Sequence, residues 1–290
     1  MANEPETQPV HKGLKKGLYL IPTSFTAANI AMGFFAVLSS LRGFQIVASD
    51  PEKASYYFNY GAIAIGFAIL FDTLDGRLAR MTKTATEIGV QLDSLADVLT
   101  FGIAPIVLGY TWAIGATFSE KSSIHGLGVF VLFMYLICGA FRLARFNLQA
   151  TRPRVLMEGT PKVDKKHFVG LPIPLAAGLI ASIIHFSPMP LSSYGESLAR
   201  FYSILLMTLF GILGLLMVST IRYASFKEAG TGRFKLYLVL LVAAMVMLLW
   251  LYSEYLLLII TVAYVSHGLL FYLAGLLNPR KKQETSESTV

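Results

Sequence analysis

Between Phe71 and Asp97 the chain reads FDTLDGRLARMTKTATEIGVQLDSLAD, which sets Asp72, Asp75, Asp93 and Asp97 between long apolar runs. An ionised carboxylate near the middle of a bilayer costs about 2.5 to 3.5 kcal/mol even on lenient insertion scales. Four of them within 26 residues need compensating partners. The most direct partner is a metal cation.

The apolar runs decide the fold class. Of 290 residues, 55% are hydrophobic and only 14% charged, and the mean hydropathy is +0.61, which is too apolar for a soluble domain. Windows near 20 residues predict spans at roughly 18–41, 56–80, 91–117, 126–148, 168–187, 200–221, 236–252 and 255–277. The expectation is an all-α polytopic membrane bundle of about eight helices, with both termini on one side. Charge supplies the orientation, because Lys and Arg accumulate in cytoplasmic segments. Twenty of the 24 Lys and Arg fall in the segments this count makes cytoplasmic, and only Arg42, Lys53, Lys121 and Arg200 fall outside them. Both termini are therefore expected in the cytoplasm, and the membrane is expected to be the cytoplasmic (inner) one.

The net charge of +7 needs no nucleic acid, since the basic residues lie where anionic lipid headgroups would meet them. Cys138 is the only cysteine, which excludes an intramolecular disulfide. The basic start is followed by a full-length span, so the first helix is expected to stay uncleaved. Three regions result: an N-terminal cytoplasmic or interfacial segment at 1–17, a membrane domain at 18–277 and a polar, disordered tail at 278–290.

Spacing gives the aspartates a geometry. Asp72 and Asp75 are i and i+3, and Asp93 and Asp97 are i and i+4, so each pair projects from one face of its helix. The intervening MTKTATE reads as a short cytoplasmic turn that returns the chain antiparallel and brings both pairs to one depth. Gly76 follows Asp75, Gly89 precedes Asp93 by a turn, and small residues at such positions admit a ligand or a neighbouring helix. Arg80 can place a guanidinium beside the same site, suited to phosphate or carboxylate. Carboxylates without Cys or His make a hard oxygen site that favours Mg²⁺, Mn²⁺ or Ca²⁺. Four can bridge two such ions, an arrangement suited to a pyrophosphate-linked substrate.

The string Asp72, Asp75, Gly76, Ala79, Arg80, Gly89, Asp93, Asp97 resembles the signature of the CDP-alcohol phosphatidyltransferases, matching it at all eight positions and at the family spacing. The resemblance implies transfer of a phosphatidyl group from a CDP-linked lipid such as CDP-diacylglycerol to an alcohol, with CMP leaving. It implies two Mg²⁺ or Mn²⁺ ions held mainly by Asp72, Asp75 and Asp93. Asp97 would act as general base and touch the second ion. Gly76, Ala79 and Arg80, together with Gly89, would form the CDP site, and the enzyme would be a homodimer.

Two further stretches, RLARFN (Arg142 to Asn147) and GLPIP (Gly170 to Pro174), resemble integral-membrane phosphatidylserine synthases, which implies L-serine as acceptor. The stretch IPTSFTAAN is similar to that subfamily too, with Thr23 where Asn is usual after Pro22. Arg142 and Arg145 share one helix face at the expected depth of the aspartates and suit a serine carboxylate or a lipid phosphate. Snorkelling anchors would have the same spacing. Lys162, Lys165 and Lys166 read as a solvated face. Rival readings keep the chemistry with glycerol 3-phosphate or an inositol compound as acceptor, or replace it with divalent-cation transport. Transport requires a continuous polar path, which the apolar C-terminal spans do not supply.

Overall fold

The computed structural model describes residues 12–82, 87–151, 167–224 and 252–270, with side chains over 24–78, 88–148, 170–221 and 252–270. Among them six helices carry apolar stretches of 19 to 30 residues, long enough to cross a membrane. They are α1 (Lys12–Ile46), α2 (Pro51–Thr82), α3, α4 (Ser123–Thr151), α6 (Glu196–Val218) and α7 (Tyr252–Leu270). Helix α3 opens over Glu87–Asp97 and runs on through π-helical stretches at Val98–Ile103 and Tyr110–Ile114 to Thr117. The protein is an integral membrane helical bundle.

Local chemistry explains several boundaries. Asp50 caps α2, its carboxylate accepting from the Lys53 N–H at 2.9 Å, and Pro51 occupies the first helical position, where no N–H is needed. Pro105 lies inside α3 and has no N–H to offer the carbonyl of Phe101. In a bilayer that carbonyl needs another donor, and the fully buried Tyr135 of α4 donates its hydroxyl there at 3.1 Å. The π-helical stretch just before Pro105 is the local adjustment that a proline inside a helix calls for. Gly33 lets α1 lie directly on α3, where a Cβ would come within 2.9 Å of Thr100 Cα.

The region expected as a span at 168–187 takes a different form. A two-stranded antiparallel ribbon pairs β1 (His167–Val169) with β2 (Arg222–Ala224), Val169 opposite Arg222. Gly170 then turns at φ +81° and donates to Ile221 O at 2.8 Å, and Pro172 caps α5 (Ile173–Phe186) in an extended conformation. Helix α5 has 14 residues, about 21 Å, and falls short of a hydrocarbon core of about 30 Å. The cause is the GLPIP turn, whose positive φ and prolines cannot continue a helix N-terminally. The expected span 236–252 lies outside the described residues except for Tyr252, as do 1–11 and the tail 278–290.

The interior is built on fully buried Phe58, Phe101, Tyr135 and Phe210, the last two edge to face at 5.1 Å. Helix α7 packs lightly and is tied by polar pairs. Ser182 and Thr261 hydroxyls meet at 2.9 Å, and His185 bonds Ser253 at 2.9 Å and Asn59 at 2.6 Å.

Gly170→Ala should lower the thermal midpoint of the detergent-solubilised protein. The backbone conformation alone costs about 1 to 2 kcal/mol, and the new Cβ would sit 2.4 Å from Met217 O. Gly66→Ala, where a Cβ meets nothing within 4 Å, should leave the midpoint unchanged or raise it. Equal midpoints for the two variants would remove the role given to the turn.

Candidate active site

The aspartates converge where α2 gives way to α3. Asp72 and Asp75 lie towards the C-terminal end of α2, and Asp93 and Asp97 lie on the first turns of α3. One carboxylate oxygen from each of Asp72, Asp93 and Asp97 lies within 4.8 Å of the other two. Asp75 is buried beside them and acts electrostatically on all three, while its Oδ2 accepts a hydrogen bond from the Thr26 hydroxyl of α1. Asp97, also buried, is the last residue before the first π-helical stretch, whose Thr100 donates to the carbonyl of Asn29 at 3.3 Å. The widened turn thus fixes α3 against α1 immediately beyond the deepest aspartate.

Three carboxylates this close repel one another. At 4 to 5 Å each ionised pair costs roughly 3 to 4 kcal/mol at an effective dielectric of 20. Asp93 Oδ1 and Asp97 Oδ1 are buried with no hydrogen-bond partner. An all-oxygen donor set with orphaned, inward-facing oxygens fits hard divalent cations, which would satisfy those atoms and offset the repulsion together. Asp72, Asp93 and Asp97 can hold one such ion, and Asp75 stands beside them.

The two arginines on α4 separate. Arg142 acts electrostatically on Asp97, and its buried Nε has no hydrogen-bond partner. Arg145 turns away to the end of α6, donating to Val218 O at 3.4 Å, and its other terminal nitrogen lies 3.1 Å from where a Cβ on Gly170 would stand. Positive charge at a helix C-terminus is favourable, so Arg145 ties RLARFN to the end of α6 beside Gly170. Gly76 is half-buried directly after Asp75, and Gly89 is exposed in the first turn of α3. Ala79 and Arg80 follow in α2, and their side chains lie outside the described residues.

Sequence reasoning missed the contacts that brace this arrangement. Thr26 belongs to the IPTSFTAAN stretch, but its bond to Asp75 joins two helices and has no local signal. Asn147, the last residue of RLARFN, donates to Ser94 at 2.8 Å and so staples α4 beside Asp93. Tyr264 of α7 lies in the neighbourhood of Arg142, a proximity with no local signal because 122 positions separate them.

Known proteins share this arrangement of sequence. The model of the CDP-alcohol phosphatidyltransferase family matches residues 19–196. A CDP-diacylglycerol–serine O-phosphatidyltransferase of Helicobacter pylori is 32% identical over 225 residues, which is 78% of this chain and 80% of the relative. A protein of that name from Bacillus subtilis is 29% identical over 211 residues, covering 72% of this chain and 92% of the relative. An archaetidylserine synthase of Methanothermobacter thermautotrophicus is 31% identical over 205 residues, 70% of this chain and 69% of the relative. The matched region contains all four aspartates and both arginines, and the chain belongs to the CDP-alcohol phosphatidyltransferase family.

Proposed function

We propose that this enzyme transfers the phosphatidyl group of CDP-diacylglycerol to the hydroxyl of L-serine, giving phosphatidylserine and CMP. The domain at 18–277 would work in the cytoplasmic membrane with its site facing the cytoplasm. The observation that carries the chemistry is the convergence of Asp72, Asp93 and Asp97 from the two halves of the signature. The choice of serine rests on relatives named for serine or archaetidylserine synthesis, at 29 to 32% identity. The orientation rests on the basic residues concentrated on one side of the predicted spans.

In this reading Asp97 accepts the proton of the serine hydroxyl. The serine oxygen bonds to the phosphatidyl phosphorus, and the bond from that phosphorus to the bridging oxygen breaks as CMP leaves. Burial of Asp97 within α3, where Thr100 bonds to the Asn29 carbonyl of α1, holds the base at one place. Gly76, Ala79, Arg80 and Gly89 line the CDP moiety, with Arg80 donating to its phosphates. Arg142 offers its unpartnered nitrogen to an anionic group of the acceptor or lipid, while Arg145 holds the neighbouring turn. Two divalent cations, Mg²⁺ or Mn²⁺, bound by Asp72, Asp75, Asp93 and Asp97 would supply positive charge for the pyrophosphate and for the attacking and leaving oxygens.

Purified protein with CDP-diacylglycerol and a panel of serine, glycerol 3-phosphate and inositol compounds tests the reaction and the acceptor together. CMP release should require serine. Release with glycerol 3-phosphate and not with serine would overturn the acceptor, and divalent-cation uptake into vesicles without any CMP release would overturn the enzyme reading.

Asp97→Asn should keep CDP-diacylglycerol binding and lose turnover by about 10² to 10⁴, the usual contribution of a general base. Asp72→Asn should lose both. Binding of labelled CDP-diacylglycerol to nanodisc-held protein separates them, and equal loss of binding would remove the division of roles.

Thr26→Val removes the donor to Asp75 at nearly constant volume. Loss of an orienting hydrogen bond to a ligand commonly costs roughly 10- to 100-fold in metal affinity. The Mg²⁺ or Mn²⁺ concentration for half-maximal activity should rise in that range, with turnover recovering at saturating metal. An unchanged metal requirement would exclude Thr26 as support for the site.

A further inference from the structure

Among the described residues, buried side-chain nitrogen and oxygen atoms without a hydrogen-bond partner occur on Asn29, Asp93, Asp97 and Arg142. Three of these belong to the site already described. The fourth has been given no role, although Asn29 is fully buried and both atoms of its amide are unpartnered. Burying an unpaired amide is destabilising, so the residue needs an explanation.

Its position supplies one. Thr26, one turn earlier on the same face of α1, donates to Asp75. Thr100, which donates to the Asn29 carbonyl at 3.3 Å, lies three residues beyond Asp97. Asn29 therefore stands on the α1 wall between the level of Asp75 and the level just past Asp97, at the inner end of the site. Its two amide atoms require opposite partners, an acceptor for Nδ2 and a donor for Oδ1. An ionised aspartate serves only Nδ2, and a cation serves only Oδ1. A compact zwitterion serves both, with an ammonium for Oδ1 and a carboxylate oxygen for Nδ2.

We propose that Asn29 is the residue that recognises the amino-acid acceptor, its amide bridging the ammonium and carboxylate of serine beside Asp97. This rests on serine as acceptor, as argued above. It makes Asn29 a specificity determinant. Glycerol 3-phosphate offers Oδ1 a neutral hydroxyl in place of an ammonium and brings a dianionic phosphate in place of a carboxylate, so it meets a site arranged for the charges of a zwitterion less well.

The test uses the full chain in nanodiscs with Asn29→Leu, which keeps the branched heavy-atom shape without the polar atoms, and Asn29→Ala. Both variants should raise the KM for serine at least tenfold while the KM for CDP-diacylglycerol stays within twofold. Without substrates, Asn29→Leu should have a thermal midpoint equal to or above wild type, because it removes an unpaired buried amide. A structural asparagine would not behave in this way. Unchanged serine KM in both variants, equal shifts in both KM values, or a lowered midpoint in both variants would each overturn the proposal. The wild-type control keeps the two readings distinct. Failure of wild-type protein to use serine sinks the acceptor reading and the zwitterion argument with it, whereas wild-type turnover with unaltered variant kinetics sinks the role of Asn29 alone.

Discussion

Repulsion among the carboxylates of Asp72, Asp93 and Asp97 is the interaction around which the rest of the bundle is arranged. Oxygens within 4.8 Å of one another would drift apart on mobile loops. Here each is carried by a helix that other contacts hold in place. Thr26 of α1 engages Asp75, Asn147 of α4 engages Ser94, and Thr100 locks α3 to α1. Tight apolar packing further along α2, α3 and α4, around Phe58, Phe101 and Tyr135, with Phe210 of α6 against Tyr135, keeps the constellation from relaxing. A site assembled against its own electrostatics is ready to bind positive charge without further reorganisation.

The parts legible in the sequence were those governed by local periodicity. Apolar run length placed the ends of α1, α2, α4 and α6 to within about two to six residues, and the i, i+3 and i, i+4 spacings put each aspartate pair on one helix face. Features set by distant partners were not legible. The GLPIP stretch read as the opening of a span, yet Gly170 is fixed by Ile221 and Met217, which lie far along the chain. The π-helical stretch at Val98–Ile103 goes with Pro105 and with Tyr135, a donor 30 positions beyond that proline in sequence. No hydropathy window reports such a pairing.

Arg142 and Arg145 show why spacing alone left their roles open. They share one face of α4, but one turn is enough to carry the first toward Asp97 and the second to the carbonyl end of α6. Snorkelling, capping and ligand binding all favour a cation at that depth. What separates them is the neighbour each side chain meets, a property of the assembled bundle.

Dependence on distant partners continues beyond the matched region 19–196. Only 6% of the apolar window of α7 is buried, and in a bilayer apolar surface gains little by touching protein in place of lipid. Polar pairs must therefore set its register, and the Thr261–Ser182 and Ser253–His185 contacts do so from α5. Tyr264 lies one turn after Thr261 on the same helix, so fixing Thr261 also fixes how far Tyr264 lies from Arg142. Arg142 also acts on Asp97, so a helix that contributes none of the signature residues places a polar group in the neighbourhood of the arginine beside the site.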